Sequence, residues 1–255
     1  MIELKGKNII VTGGTRGIGF GIVKELVTLG ANVVTCGRSD APSDKLKELM
    51  NENEGKIVYI RADISDVSYC KLILDTAINK FGKLDGLVNN TAIFPRHNYF
   101  TITGEQFDEV FNVNAKGTFF LTKYAVEFAL EKESALAIVQ IGSENAFAGE
   151  PDLAVYSCSK GAVRTLNKHI ALNYGRNKIR SNWVTVGWVA TETELSRFES
   201  IEIAKEELAK AAKKYIPLGR LQTNEDVAQT VSFLLSDSSS QITGTEIHVT
   251  GGKFF

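Results

Sequence analysis

A β-branched run, Asn8-Ile9-Ile10-Val11-Thr12, passes directly into Gly13-Gly14-Thr15-Arg16-Gly17-Ile18-Gly19. A helical pattern through Ile22, Val23, Leu26 and Val27 then runs to Gly30. No other stretch restricts the fold as strongly. Strand, glycine-rich turn and helix in that order open a βαβ unit. Glycines let the backbone turn tightly and approach a pyrophosphate, and the helix N-terminus offers free N–H groups at a positive dipole end. The turn is therefore read as a dinucleotide cradle rather than as a plain βα connection.

The alternation continues to the end of the chain. Further strands are expected at Asn32–Cys36, Lys56–Arg61, Gly86–Asn89, Ala137–Ile141, Arg180–Thr185 and Glu246–Val249, with helical stretches such as Asp66–Phe81 and Glu105–Leu130 between them. Repeated βα alternation predicts an α/β fold: a single Rossmann-like domain over residues 1–255, with a seven-stranded parallel sheet and helices on both faces. A length of 255 residues, 44% of them hydrophobic, suits one undivided domain of this class. One segment departs from the pattern. Thr191 to Tyr215 is rich in Glu, Lys and Ala and reads as one or two amphipathic helices with a solvated face.

Charge narrows the partners. The net charge is −1 and no basic run interleaves with aromatics, so nucleic acid and anionic membrane surfaces are not expected partners. Apolar runs fall well short of the ~18 residues of a membrane span. The N-terminus enters the first strand directly, with no signal peptide pattern. The three cysteines, Cys36, Cys70 and Cys158, are odd in number and lack metal spacing. A cytoplasmic, reduced protein with no metal site is expected, with Cys158 a small packed thiol.

Tyr156 and Lys160 carry the chemistry. Four residues apart, they share one face of a helix. An ammonium beside a phenol favours the phenolate, so Lys160 is expected to lower the pKa of Tyr156 and fit it for proton transfer near neutral pH. The spacing alone occurs on many solvated helices, and it gains weight from its company. Thr12 to Gly19 resembles the Thr-Gly-x-x-x-Gly-x-Gly of the short-chain dehydrogenase/reductase family in its classical form. Asp63, followed by Ile64, matches that family's adenine-contacting acid, and Asn89-Asn90-Thr91-Ala92 is a variant of its Asn-Asn-Ala-Gly. Asn114 falls at the catalytic asparagine position. Ser143 lies thirteen residues before Tyr156, the family spacing for the catalytic serine.

The resemblance spans essentially the whole chain and implies hydride transfer between a nicotinamide and a ketone or secondary alcohol. It implies four catalytic residues. Tyr156 is the acid and base, and Ser143 holds the carbonyl oxygen. Lys160 lowers the tyrosine pKa and binds the ribose, and Asn114 holds a water that links Lys160 to solvent. Cofactor contacts are implied at Gly13, Thr15, Arg16, Gly17, Ile18 and Gly19 in the turn. Further contacts are implied at Arg38, Ser39, Asp63, Ile64, Asn90, Thr91 and Ala92, at Tyr156 and Lys160, and at Gly187, Val189 and Thr191. Three departures stand out. Val186-Gly187 replaces Pro-Gly, Ala92 replaces a glycine, and Thr250 replaces an acid before Gly251-Gly252.

Charge at the second strand speaks to the choice of cofactor. NAD-preferring relatives carry an acid where this chain has Gly37, and Arg38, Ser39 and Arg16 could hold a 2′-phosphate. NADP(H) is expected over NAD(H), with Asp40 close enough to weaken the field. The 191–215 segment corresponds to the substrate lid. Ile93–Phe100 and Glu144–Leu153 are expected to face the substrate through Phe94, Arg96, His97, Tyr99, Glu144, Asn145 and Phe147, with Trp188 beside them. A partly apolar ketone or alcohol fits that mixture.

Two alternatives stay open. One is a 3-oxoacyl-carrier-protein reductase, although Glu131-Lys132-Glu133-Ser134 shows no basic excess for an acidic carrier. The other is a dinucleotide-binding regulator without turnover. Phe107, Val110, Phe111, Phe119, Phe120, Tyr124 and Phe128 on one expected helix suggest a helix–helix interface, and the family commonly forms the homotetramer expected here.

Overall fold

Burial on both faces explains why the strands of this chain read as unbroken apolar runs. The computed structural model describes residues 2–200 and 204–253. β1 (Asn8–Thr12), β2 (Asn32–Gly37), β3 (Ile57–Arg61), β4 (Gly86–Asn89), β5 (Leu136–Ile141), β6 (Ile179–Val186) and β7 (Glu246–Val249) form one sheet. Its order is β3-β2-β1-β4-β5-β6-β7, and every neighbouring pair is parallel. The order reverses between β1 and β4, the switch point where such sheets open a crevice at their carboxyl ends.

Side chains alternate between two cores. Ile9 and Val11 of β1 enter one cluster with α1 (Gly17–Thr28) and α9 (Asn224–Leu235), through Ile22, Leu26, Val227 and Val231. Ile10 enters the other with α3 (Val67–Phe81), α5 (Thr118–Glu131) and α6 (Ala154–Tyr174), through Ile73, Leu121 and Ile170. The period of two that turns adjacent strand residues to opposite faces thus divides one strand between two helix layers.

Local chemistry sets the helix limits. Asp66 caps α3 by accepting from the Ser68 N–H at 2.8 Å, and Gly82 ends it at φ 80°. Thr103 and Gln106 form a reciprocal capping box at the start of α4 (Gly104–Phe111), and Thr223 and Asp226 do the same for α9. Ser43 caps α2 (Asp44–Glu52). The departing segment forms α7 (Glu192–Ser200) and α8 (Lys205–Tyr215). Residues 201–203 of the expected 191–215 insertion lie outside the described residues.

The single helix expected over Glu105–Leu130 is corrected. α4 and α5 are separated by a π-helical segment, Asn112–Gly117. Two contacts hold it. The Asn114 side chain accepts from the Ile93 N–H and donates to the Ile93 carbonyl, each at 2.8 Å. Gly117 packs so close to Ile64 that a Cβ there would stand 2.3 Å from its carbonyl oxygen. The expected aromatic face is smaller than the sequence suggests. Phe120, Tyr124 and Phe128 pack against the second core, and Phe111 stacks on Phe107 at 4.4 Å. Phe107 and Phe119 remain exposed.

Among the described residues, no helix is long and apolar enough to cross a membrane, and no group of three or more His, Cys, Asp or Glu could hold a metal ion.

Candidate active site

The loops that follow β1 to β6 enclose a cavity of about 620 Å3. One side of it is the glycine turn. Gly13 and Gly17 adopt φ of +70° and +55°, a region that L side chains rarely enter. Gly19 is needed for a different reason, since a Cβ there would lie 2.2 Å from the Gly13 carbonyl oxygen. The turn is tied to β4 by Thr12, whose hydroxyl accepts the N–H groups of Asn90 and Thr91 at 3.0 Å each. Asn90 returns a 2.8 Å bond to the Thr12 carbonyl. No side chain caps α1 and its first turn holds no acid, so its N–H groups and dipole are left to an anion.

Gly13, Thr15, Arg16, Gly17, Ile18 and Gly19 all line the cavity. So do Arg38, Asp63, Ile64, Asn90, Thr91 and Ala92, and from β6 onward Gly187, Val189 and Thr191. Ser39 does not. It is exposed, and its carbonyl accepts the Tyr59 hydroxyl at 2.6 Å. Of the departures, Val186 leaves Gly187 where only glycine fits, because a Cβ would meet Gln222 Oε1 at 2.8 Å and Thr250 Cα at 2.9 Å. Thr250 is buried with its hydroxyl unpartnered.

Ser143, Tyr156 and Lys160 stand together on the opposite wall. β5 leads through Gly142 to Ser143, and a Cβ on Gly142 would strike the Trp183 ring at 2.0 Å, so the buried indole packs against the backbone just before the serine. The Ser143 hydroxyl accepts the Asn145 N–H at 3.1 Å and keeps its own proton to donate. Burial pushes the Tyr156 phenol up to about 12, against a hydrogen bond with Ser143 that lowers it. Burial draws Lys160 down to about 8. Its ammonium donates to the Ile141 carbonyl at 2.7 Å and lies 5.8 Å from the Tyr156 ring centre. The charges of Glu150 and Glu144 add to the rise at Tyr156.

Asn114 stands behind the wall rather than in it. Besides Ile93 it donates to the Ser159 hydroxyl at 3.0 Å, which joins the π segment to the helix that carries Tyr156 and Lys160.

The expected substrate side divides. Phe94, Arg96, Glu144, Asn145 and Trp188 line the cavity, and Phe94 meets Tyr156 edge to face at 5.8 Å. His97, Tyr99 and Phe147 are absent from its wall. Phe147 lies instead against the Arg164 guanidinium at 4.3 Å. Glu150 of the expected Glu144–Leu153 segment and Glu194 and Arg197 of the 191–215 segment also line it, and so does Lys253, which sequence reasoning missed. Glu194 accepts from Trp188 Nε1 at 3.0 Å and from Arg197 at 2.7 Å. Burial raises the Glu194 pKa, and those two bonds more than reverse the effect, leaving it below the usual carboxylate range. The one signal for Lys253 was its place directly after Gly251-Gly252, which both adopt positive φ.

The residues present fit a nicotinamide dinucleotide. The glycine approaches, the uncapped helix and the buried lysine form a cradle for phosphates and ribose hydroxyls in one cavity with a protonated phenol.

Comparison with known proteins agrees with that fit. Residues 13–253 match the family described as enoyl-(acyl carrier protein) reductase. The chain is 34% identical to dehydrogenase/reductase SDR family member 4 of Caenorhabditis elegans, over 98% of this chain and 96% of that one. It is 32% identical to glucose 1-dehydrogenase 2 of Bacillus subtilis, over 98% and 95% of the two chains. It is 33% identical to an NADP-dependent (R)-specific alcohol dehydrogenase of Lentilactobacillus kefiri, over 98% and 97%. A crystal structure of 3-ketoacyl-(acyl-carrier-protein) reductase from Brucella melitensis complexed with NADH superposes with a TM-score of 0.86 at 28% identity, covering 99% of this chain and all of that one.

Proposed function

The chain belongs to the short-chain dehydrogenase/reductase family of oxidoreductases, and on that premise we propose that it interconverts a ketone and a secondary alcohol with NADP(H), Tyr156 giving and taking the proton. The observation that carries the proposal is that Ser143, Tyr156 and Lys160 line the same cavity as the glycine turn. A bound nicotinamide supplies or accepts the hydride. Ser143 turns its hydroxyl hydrogen, otherwise bonded to Tyr156, to the substrate oxygen. The Tyr156 phenol, protonated at neutral pH, delivers its proton to that oxygen in reduction and recovers it in oxidation. Lys160 offers the ribose hydroxyls the N–H groups that Ile141 does not take. Asn114 holds Ile93 and Ser159 in register, and with them the helix under the reacting residues. Its expected part in a water relay to Lys160 rests on the resemblance alone.

The NADP(H) preference is supported at the end of β2. Arg16 and Arg38 line the cavity there. A Cβ on Gly37 would meet a Thr15 methyl at 3.0 Å and the Tyr59 hydroxyl at 3.2 Å, which disfavours the acid that an NAD-preferring site would carry. Asp40, the competing charge expected from the sequence, is paired with Arg61 at 2.7 Å. Of the relatives named above, one carries NADP in its name and another was crystallised with NADH. We further propose that α7 and α8 form the lid, that the protein is a cytoplasmic homotetramer, and that its substrate is a small molecule.

A second reading, reduction of a 3-oxoacyl group on a carrier protein, is favoured by the Brucella neighbour. It predicts tight use of acyl-carrier thioesters and none of simple ketones.

The test is Tyr156→Phe. It should lower turnover by ~10^2-fold or more while NADPH binding, followed by nicotinamide fluorescence, is retained. Undiminished turnover in the variant refutes the assignment. Nucleotide binding by the wild-type protein without turnover of any ketone or thioester would leave the regulator.

A further inference from the structure

Three ion pairs line the cavity beyond the reacting residues: Glu144 with Lys253, Glu150 with Arg96, and Glu194 with Arg197. Each cation is matched by a carboxylate within the wall, and Arg96 also bonds Asp152 behind it at 2.6 Å. The surface therefore offers hydrogen-bond donors and acceptors together with little net charge, and gives neither an anionic nor a cationic substrate a favourable field. A long alkyl chain against it would desolvate charged groups and return no hydrogen bonds.

One of the six keeps an unused acceptor. Glu144 follows Ser143 directly and is only 7% exposed. Its Oε1 takes a 2.6 Å bond from Lys253 Nζ, whereas Oε2 is sealed from water with no protein partner. An orphaned buried acceptor of this kind is costly unless a ligand supplies the donor. The terminal torsion of a glutamate is soft, so that oxygen can turn toward a donor arriving from the cavity. Lys253 reaches this place because Gly251 and Gly252, at φ of 65° and 86°, fold the chain back after β7.

We infer that the substrate is a neutral hydroxylated carbonyl compound, and that Glu144 accepts a hydrogen bond from a hydroxyl on the carbon next to the reacting one. Ser143 and Glu144, adjacent in the chain, then hold two adjacent oxygens of the same molecule. Lys253 is a positioning residue that orients the carboxylate. The inference rests on the reductase reading above and narrows its substrate class.

The experiment measures kcat/KM with NADPH for pairs of ketones that differ by one hydroxyl: hydroxyacetone against acetone, and 1-hydroxy-2-butanone against 2-butanone. The wild-type protein should prefer the hydroxylated member by about tenfold or more. Glu144→Ala should lose more on the hydroxylated member than on its partner, by enough to erase the preference. Lys253→Met should reduce the preference part-way, with NADPH affinity and melting temperature reported for both variants. A wild-type protein without the preference overturns the inference, as does an equal loss on both members. Turnover confined to the unhydroxylated ketones overturns this inference and leaves the reductase reading standing. NADPH binding with no turnover of any ketone overturns the reductase reading, and this inference with it.

Discussion

Replacing Lys160 by Met should reshape the dependence of stability on pH, by an amount that follows from burial. The lysine is 5% exposed, and desolvation lowers its pKa from 10.5 to about 8. Between those values the unfolded chain holds a proton that the folded protein has released. Stability from this group therefore rises with pH across the window and is lost as pH falls. The full shift corresponds to about 3 kcal/mol, of which about 2 kcal/mol is gained between pH 8 and pH 10. Other groups act with the opposite sign. Burial raises Cys36 to about 11 and Cys70 to about 12, and it raises Tyr156 to about 12, so each loses stability as pH rises above its ordinary value. The measurement must therefore be a difference. Urea unfolding of the wild type and Lys160→Met, followed by the fluorescence of buried Trp183 without nucleotide, should show the variant losing about 2 kcal/mol relative to the wild type from pH 8 to pH 10. The shared cysteine and tyrosine contributions cancel. Parallel curves over that range would show that burial does not set the proton affinity of Lys160, and the argument would fail.

Two further substitutions test the cradle. Gly19→Ala places a methyl against the Gly13 carbonyl, where a Cβ stands at 2.2 Å. The overpacked turn should cost ~1–3 kcal/mol in urea unfolding and weaken NADPH binding, and an unaltered affinity would contradict the close-approach account. Arg38→Glu should raise the KM for NADPH by about tenfold or more while changing that for NADH much less, and equal effects on both would remove Arg38 from phosphate recognition.

The sheet was legible because its strands are buried on both faces. β1, β4 and β7 stand where the β-branched and apolar runs put them, and the other strands differ by a residue at one end or both. The glycine turn was legible for a related reason, since steric necessity leaves a residue type behind. The break in the long helix was harder to see. Its only trace is Asn112, Asn114 and Gly117 within six residues, poor helix formers that the surrounding apolar period masks. The pairing of Glu144 with Lys253 joins positions 109 residues apart and leaves no local pattern. The spacing of Tyr156 and Lys160 shows that they share a helix face, but not that burial and the Glu144 and Glu150 charges act on the phenol. Likewise Ser39 has a suitable hydroxyl at a suitable position, yet its backbone is committed to Tyr59 and the side chain is no part of the cavity wall.

The π segment has a consequence for how this chain can change. A π turn closes i→i+5 where an α-helix closes i→i+4, so the segment takes up one extra residue with little change in the phase of the helices on either side. Deleting one residue within Asn112–Gly117 would let α4 and α5 join as a continuous α-helix, with Leu121 and Ala125 still facing the second core. What the deletion would remove is the bulge itself, and with it the place of Asn114 against Ile93 and Ser159. The extra residue is thus held by the side chain it displays, and not by the packing of the sheet behind it.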